Sequence, residues 1–153
     1  MPRISLDTNI LVYAADGEAG EKNRIARRVV GAAARSEGVL TQQVVGEFLN
    51  VSRRMQHLDQ QRLRRIAAGL CAIFPLLATS REDLLEAFDR SIRLKLQYWD
   101  SVIAGVCLSN GVSYLISEDL QDGGRLDGLT VLNPFNPANE EQVVALTAIA
   151  DVP

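Results

Sequence analysis

The sequence predicts an α/β domain whose central sheet is mostly parallel, has about five strands and is flanked by helices. Apolar runs of four or five residues alternate with longer stretches of helical periodicity. Short connections join them, and this alternation is typical of a parallel sheet covered by helices. The chain has 153 residues and contains no repeat, low-complexity segment or linker, so we expect residues 1–153 to form a single domain.

The first half of the chain supplies two strands and three helices. Both predicted strands are short and apolar, at residues 3–6 and 38–41. The predicted helices show apolar residues at helical spacing, over residues 21–36, 42–56 and about 59–70.

The second half begins with a weak strand near residues 73–76, which Pro75 restricts to an edge of the sheet. Ser80 and Asp83 resemble a capping box and predict a helix over about 81–95. The remaining predicted elements are a helix over about 99–110, strands at 113–117 and 129–133, and a tail from about 137 to 149 that forms either an extra helix or a loosely docked segment.

Composition restricts the function classes. The net charge of -3 and the pI of about 5.2 give no global argument for nucleic-acid binding, although local patches matter more than the sum. The only histidine, His57, is expected to be exposed, which argues against a histidine-rich metal site and a Ser-His-Asp triad. Cys71 and Cys107 lie in apolar helical contexts and are expected to be buried and reduced.

The same features predict a cytoplasmic location, because a reducing compartment suits two unpaired thiols. A strand pattern begins at Arg3 in the place where a signal peptide would stand. No apolar run reaches the roughly 18 residues needed to span a membrane, so no membrane association is expected.

Four acidic residues lie near predicted strand ends or helix starts. Asp7 follows the first strand, Glu47 lies in the helix after the second strand, and Asp119 follows the fourth. Asp100 begins a helix, but two consecutive helices precede the fourth strand, so the sequence does not place it. Ligands of open parallel sheets bind beyond the carboxyl ends of the strands, where Asp7 is expected.

Each acid also has an ordinary structural interpretation. Asp7 would cap a helix, Glu47 would be solvated, Asp100 would favour a helix dipole, and Asp119 would sit in a turn. Their combination favours a common site.

The segments around these acids resemble the PIN-domain family, in particular toxins of the VapC type. The similarity covers nearly the whole chain, and four motifs occur in the family's order and spacing. They are LDTNILVYA (6–14), TQQVVGEFLNVSRR (41–54), YWDSVIAGV (98–106) and LISEDLQDG (115–123), followed by GLTVLNPF (128–135).

The resemblance implies a PIN-like α/β/α sandwich and an endoribonuclease that hydrolyses RNA phosphodiester bonds with Mg²⁺ or Mn²⁺. Such a protein would be the toxin of a type II toxin-antitoxin system, inactivated by a cognate antitoxin, and is usually dimeric. The residues that match the family's acidic quartet and its supporting polar positions are Asp7, Glu47, Asp100 and Asp119, with Thr8, Asn9 and Ser117.

An all-carboxylate site suits these ions because both are hard cations that prefer oxygen ligands. We expect Asp7 and Asp100 to be the main ligands, with Glu47 and Asp119 binding directly or through water. Glu118 is expected to face solvent beside Asp119.

The sequence leaves the roles of several other residues open. Arg53 and Arg54 are candidates for holding the RNA strand. Trp99 is expected in the core, with base stacking as the alternative. Apolar helix faces would either pack in the core or form a dimer contact, namely Ile66, Leu70 and Ile73, or Leu84, Leu85 and Phe88.

Two other functions compete with a nuclease. A phosphate-handling domain of the response-regulator or phosphatase kind would need an acidic pair at the first strand end, where LDTN offers one acid. A catalytically degenerate PIN domain would bind RNA or a protein without cleaving, and the intact quartet argues against it.

Overall fold

The computed structural model describes residues 2–147 and shows a six-stranded sheet covered by helices. The strands follow the order β3-β2-β1-β4-β6-β5, and every pairing is parallel except the one between β5 and β6. The predicted α/β fold with a mostly parallel sheet is therefore confirmed. The strands are β1 (Arg3–Leu6), β2 (Gly38–Thr41), β3 (Leu76–Leu77), β4 (Val112–Ile116), β5 (Arg125–Leu126) and β6 (Leu129–Leu132).

Seven α-helices connect or flank these strands in the described part of the chain. They are α1 (Thr8–Ala15), α2 (Glu21–Ala34), α3 (Gln42–Ser52), α4 (Gln60–Ile73), α5 (Arg81–Leu94), α6 (Tyr98–Ser109) and α7 (Glu140–Thr147). None of the helices in the described residues is long and apolar enough to cross a membrane.

Side-chain caps set the starts of several helices. Thr41 ends β2 and caps α3, because its Oγ1 accepts a hydrogen bond from the backbone N–H of Val44 at 3.2 Å. The predicted capping box at α5 is present, with Ser80 and Asp83 each accepting the other's backbone N–H. Strand and helix thus meet with no intervening loop at the β2–α3 junction, which brings the first turns of α3 to the carboxyl edge of the sheet.

The core lies on both faces of the central strands β1 and β4. Ile4, Leu6, Leu115 and Ile116 are essentially inaccessible to solvent. Strands covered on both faces in this way read as continuous apolar runs, which is what the sequence shows. β1 and β4 pair in a register that places Leu6 beside Ile116, so the two strands end side by side.

The sixth strand corrects the prediction of about five. β5 is two residues long and pairs with β6 through a two-residue turn at Asp127 and Gly128, which have φ values of 55° and 105°. Both turn residues have positive φ, as a type I′ hairpin requires, and Asp-Gly is a preferred sequence for it. This strand is too short to give a periodic signal, so only the turn could have revealed it.

The edge strand and the tail differ from their predicted bounds. β3 lies at the sheet edge as expected, but it begins at Leu76 because α4 continues to Ile73. A 3₁₀ turn at Pro137–Asn139 leads into α7, which packs against α2 and buries Val143 and Leu146. Residues 148 and 149 of the predicted helix lie outside the described residues.

Two burial predictions are wrong. Cys71 is exposed, since it lies on the outer face of α4, whereas Cys107 is buried as expected. Trp99 is 53% exposed and packs edge-on against Tyr98, because the buried face of α6 begins only at Ser101.

Candidate metal centre

Asp7 lies where β1 gives way to α1, at the carboxyl edge of the sheet. Its backbone N–H donates to the carbonyl of Ile116 at 2.9 Å, which ties it to the end of β4. The side chain caps α1 by accepting the N–H of Thr8 at 2.8 Å. Asp7 is only 5% exposed. The helix-capping interpretation of Asp7 is therefore correct, and it is compatible with a role in a site.

Ser117 joins Asp7 to Asp119 across the ends of β1 and β4. The buried Ser117 hydroxyl donates to Oδ2 of Asp7 at 2.7 Å and accepts the backbone N–H of Asp119 at 3.2 Å. Asn9 completes the bridge, because its Nδ2 donates to Oδ2 of Asp119 at 3.1 Å and lies 3.5 Å from Oδ2 of Asp7. The polar residues after the two central strands thus form one hydrogen-bonded network.

Glu47 reaches this network from α3. The Thr8 hydroxyl donates to Oε2 of Glu47 at 2.7 Å, and Gln43 donates to Oε1 at 2.7 Å. Gln43 also donates to the carbonyl of Trp99 at 3.2 Å, which links α3 to the first turn of α6. Sequence reasoning missed Gln43, although its position four residues before Glu47 on a helix is a usable signal.

Asp100 enters from the first turn of α6. This helix runs back along the sheet into β4, so its first turn lies at the carboxyl edge with the other acids. Burial first, and then the charges of Asp7, Glu47 and Asp119, raise the pKa of Asp100 to about 6. The effect of all three charges on Asp100 shows that the four carboxylates share one electrostatic environment.

Asp7 experiences the same repulsion. Burial raises the pKa of its carboxyl group above the ordinary value, and the charges of Asp119 and Glu47 act in the same direction. Hydrogen bonds from Ser117 and Thr8 favour the charged form and oppose part of this rise. The site therefore concentrates negative charge that is only partly compensated by the protein.

These residues line one open cleft of about 420 Å³ at the carboxyl edge of the sheet. Its walls contain all four acids and two of the three supporting side chains, with Ser117 buried directly behind them. The lining residues are Asp7, Thr8, Asn9, Val12, Tyr13, Glu47, Val51, Gln97, Asp100 and Asp119. The structure thus brings together every residue of the predicted quartet.

The donor set fits a hard divalent cation bound partly through water. Within residues 2–147, no three histidine, cysteine or carboxylate side chains stand close enough together to hold an ion by themselves. Mg²⁺ keeps several waters and commonly takes one or two carboxylates plus substrate phosphate oxygens, so it does not require a closed cage. Carboxylates without histidine or cysteine suit Mg²⁺ or Mn²⁺ and suit zinc poorly.

The predictions for Glu118 and for the two arginines after Glu47 have different outcomes. Glu118 does not simply face solvent, because it forms an ion pair with Lys22 and its side chain is 23% exposed. Arg53 and Arg54 are exposed residues at the end of α3 and do not line the cleft, so an RNA contact there stays a prediction.

The fold and the cleft define a class: α/β proteins that gather carboxylates at the carboxyl edge of a mostly parallel sheet. The sequence profile of the PIN domain matches residues 4–121. The chain therefore belongs to the PIN-domain family. No curated protein matches the chain by sequence.

Several solved structures share this fold. VapC20 of Mycobacterium tuberculosis, a toxin that cleaves the sarcin-ricin loop, is 15% identical with a TM-score of 0.62, covering 76% of this chain and 89% of its own. A toxin-antitoxin complex from Klebsiella pneumoniae is 21% identical with a TM-score of 0.61, covering 86% and 98%. PAE2754 of Pyrobaculum aerophilum is 16% identical with a TM-score of 0.62, covering 97% and 98%. At sequence identities this low, the structural similarity establishes a shared fold and nothing more specific.

Proposed function

We propose that this protein is a Mg²⁺- or Mn²⁺-dependent endoribonuclease that hydrolyses RNA phosphodiester bonds. The observation that carries the proposal is the convergence of four carboxylates in one open cleft. Three of them, Asp7, Glu47 and Asp119, are held by a hydrogen-bond network that joins α1, α3 and the end of β4. Family membership supports the same reaction. An acidic cleft repels a polyanion such as RNA unless a cation is present. We therefore expect RNA to bind in the cleft only together with a divalent cation.

In this proposal Asp7 and Asp100 are the main metal ligands, and Glu47 and Asp119 bind directly or through water. A bound divalent cation would polarise the scissile phosphate and lower the pKa of a coordinated water. The protein's own contribution is orientation. Ser117 and Asn9 hold the carboxylates of Asp7 and Asp119, while Thr8 and Gln43 hold both oxygens of Glu47.

The experiment that tests this function is cleavage of total RNA by the purified chain with Mg²⁺ or Mn²⁺ and with EDTA. We expect endonucleolytic fragments with either ion and intact RNA in EDTA. Binding of RNA without cleavage under any of these conditions would contradict the nuclease and favour a degenerate binding domain.

The biological role that we propose is that of a cytoplasmic toxin neutralised by a cognate antitoxin. The fold shared with VapC20 and with the Klebsiella pneumoniae toxin-antitoxin complex supports it. Induced expression of this chain alone should arrest bacterial growth, as measured by optical density and colony counts. Asp100→Asn should relieve the arrest, and Asp89→Asn, at an exposed acid on α5, should not. Normal growth with active, soluble protein would contradict the toxin role.

We further propose a homodimer through α5. Its outer face exposes 65% of Leu85, 58% of Phe88 and 64% of Ile92, which forms an unusually apolar surface. Light scattering at tens of micromolar should therefore report twice the 16.7 kDa chain mass, and Phe88→Glu should report one chain. Ile73→Glu, at an exposed apolar position on α4, is the control. A monomeric parental protein would remove this proposal.

A further inference from the structure

Lys22 of α2 connects three segments beside the cleft. It forms an ion pair with Glu118, and its ammonium nitrogen lies 3.5 Å from the Tyr13 hydroxyl. The same nitrogen lies 5.0 Å from the centroid of the Tyr13 ring and 5.4 Å from that of Phe135, within the range of cation–π attraction. These two rings meet edge to face at 5.2 Å. Lys22 is thus held by a carboxylate, a hydroxyl group and two aromatic faces.

This arrangement differs from an ordinary surface ion pair. Arg24 and Glu21 form such a pair on the same helix, with side chains 60% and 67% exposed, and a pair of that kind contributes little. The side chains of Lys22 and Glu118 are 43% and 23% exposed, and they join α2 to the loop after β4. A contact between distant segments constrains the loop, whereas a contact within one helix does not.

Glu118 matters because of its two neighbours and its backbone. It lies between Ser117 and Asp119, which both belong to the network of the cleft. Its backbone N–H donates to Oδ1 of Asn9 at 3.2 Å, and Nδ2 of the same Asn9 donates to Asp119 at 3.1 Å. The orientation of Asn9 and Asp119 therefore depends on where residue 118 is held.

We propose that Lys22 is a positioning residue for the metal centre: by binding Glu118 outside the cleft, it fixes Asn9 and Asp119 in the orientation that receives the cation. Glu118 and Asp119 are adjacent carboxylates, and the ion pair determines which of them faces the cleft. The inference rests on the proposed metal-dependent function and assigns no chemical step to Lys22.

The test measures Mn²⁺ affinity without relying on catalysis. The melting temperature of each purified protein is followed as Mn²⁺ is added, and the apparent dissociation constant is taken from the titration. Loss of a residue that orients metal ligands typically weakens metal affinity by about 10- to 100-fold, so we expect Lys22→Met to weaken it by about 10-fold or more. Lys22→Arg keeps the charge and should retain most of the affinity.

The chain offers a matched control, because Lys95 is its only other lysine and is exposed. Lys95→Met should leave Mn²⁺ affinity unchanged. Glu118→Gln should weaken the affinity as Lys22→Met does, and the double variant should be no weaker than either single one, because both substitutions break the same contact.

Parental Mn²⁺ affinity in a folded Lys22→Met protein would overturn the inference, as would fully additive losses in the double variant. Either result would leave the nuclease intact if the parental protein still cleaves RNA with Mn²⁺. A parental protein that neither binds Mn²⁺ nor cleaves RNA would overturn the proposed function, and the positioning role would fall with it.

Discussion

Asp100→Asn should abolish metal-dependent RNA cleavage while leaving the fold intact. Asparagine has nearly the same shape as aspartate but lacks the charge that binds a hard cation. Among the described residues no hydrogen bond to the Asp100 side chain is present, so its replacement breaks no protein contact of that kind. Since even indirect partners of a metal site contribute about 10- to 100-fold, loss of a main ligand should lower the rate by about 100-fold or more.

Asp7→Asn should have the same effect on cleavage but a different effect on the fold. The Asp7 carboxylate accepts the Ser117 hydroxyl and the N–H of Thr8 with separate oxygens. Asparagine offers one accepting oxygen, so one of these contacts must rearrange. Loss of activity in Asp7→Asn alone would therefore be ambiguous, whereas loss in both variants points to the cation.

The measurement is the initial rate of RNA cleavage at saturating Mg²⁺, with circular dichroism to verify folding. Asp89→Asn is the matched control, because it makes the same chemical change at an exposed acid of α5. If a folded Asp100→Asn protein cleaves at the parental rate, Asp100 is not a ligand. If the Asp89 variant is equally inactive, the effect is not specific to the cleft.

The parallel sheet made part of the site predictable. Asp7 directly follows β1, and Asp119 lies three residues after the end of β4. Because the carboxyl ends of parallel strands meet at one edge of the sheet, the sequence places both acids at that edge. Asp100 could not be placed in this way because α5 and α6 follow one another without a strand between them. Its position depends on tertiary contacts such as the hydrogen bond from the Tyr98 hydroxyl to the carbonyl of Leu84 at 2.9 Å.

Part of what the sequence failed to reveal depends on partners far apart in the chain. Gln43 contacts the carbonyl of Trp99 across 56 positions, and Lys22 contacts Glu118 across 96 positions. Trp99 shows a similar limit for burial, because its apolar side chain, one residue before Asp100, is 53% exposed. Periodicity identifies the buried face of a helix, but it does not show where that face begins.

The four acids should also make the metal-free protein less stable than a variant that lacks one of them. Without a cation, the folded state holds negative charges together, and unfolding separates them. Because Asp100 is only half-buried, solvent screens part of this repulsion, and we expect Asp100→Asn to stabilise the protein in EDTA by about 1 kcal/mol, or about 2–4 °C.

The pH dependence of this gain has a defined sign. The pKa of Asp100 is about 6 in the folded protein, whereas an ordinary aspartate, as in the unfolded chain, has a pKa of 3.8. Between these values the folded parental protein holds a proton that the unfolded chain has released, so its stability falls as the pH rises from about 4 to about 6. The advantage of Asp100→Asn in EDTA should therefore be small near pH 4 and largest above pH 6.

Adding Mn²⁺ should reverse the order of the two proteins at neutral pH. The cation binds the folded state preferentially and raises the parental melting temperature, whereas Asp100→Asn starts higher in EDTA and gains less. A shared metal centre predicts this crossed pattern, and scattered surface acids do not. Thermal scans of both proteins in EDTA and in Mn²⁺, at pH 5 and pH 7.5, measure it directly. Equal Mn²⁺ shifts in the two proteins would show that Asp100 does not bind the ion.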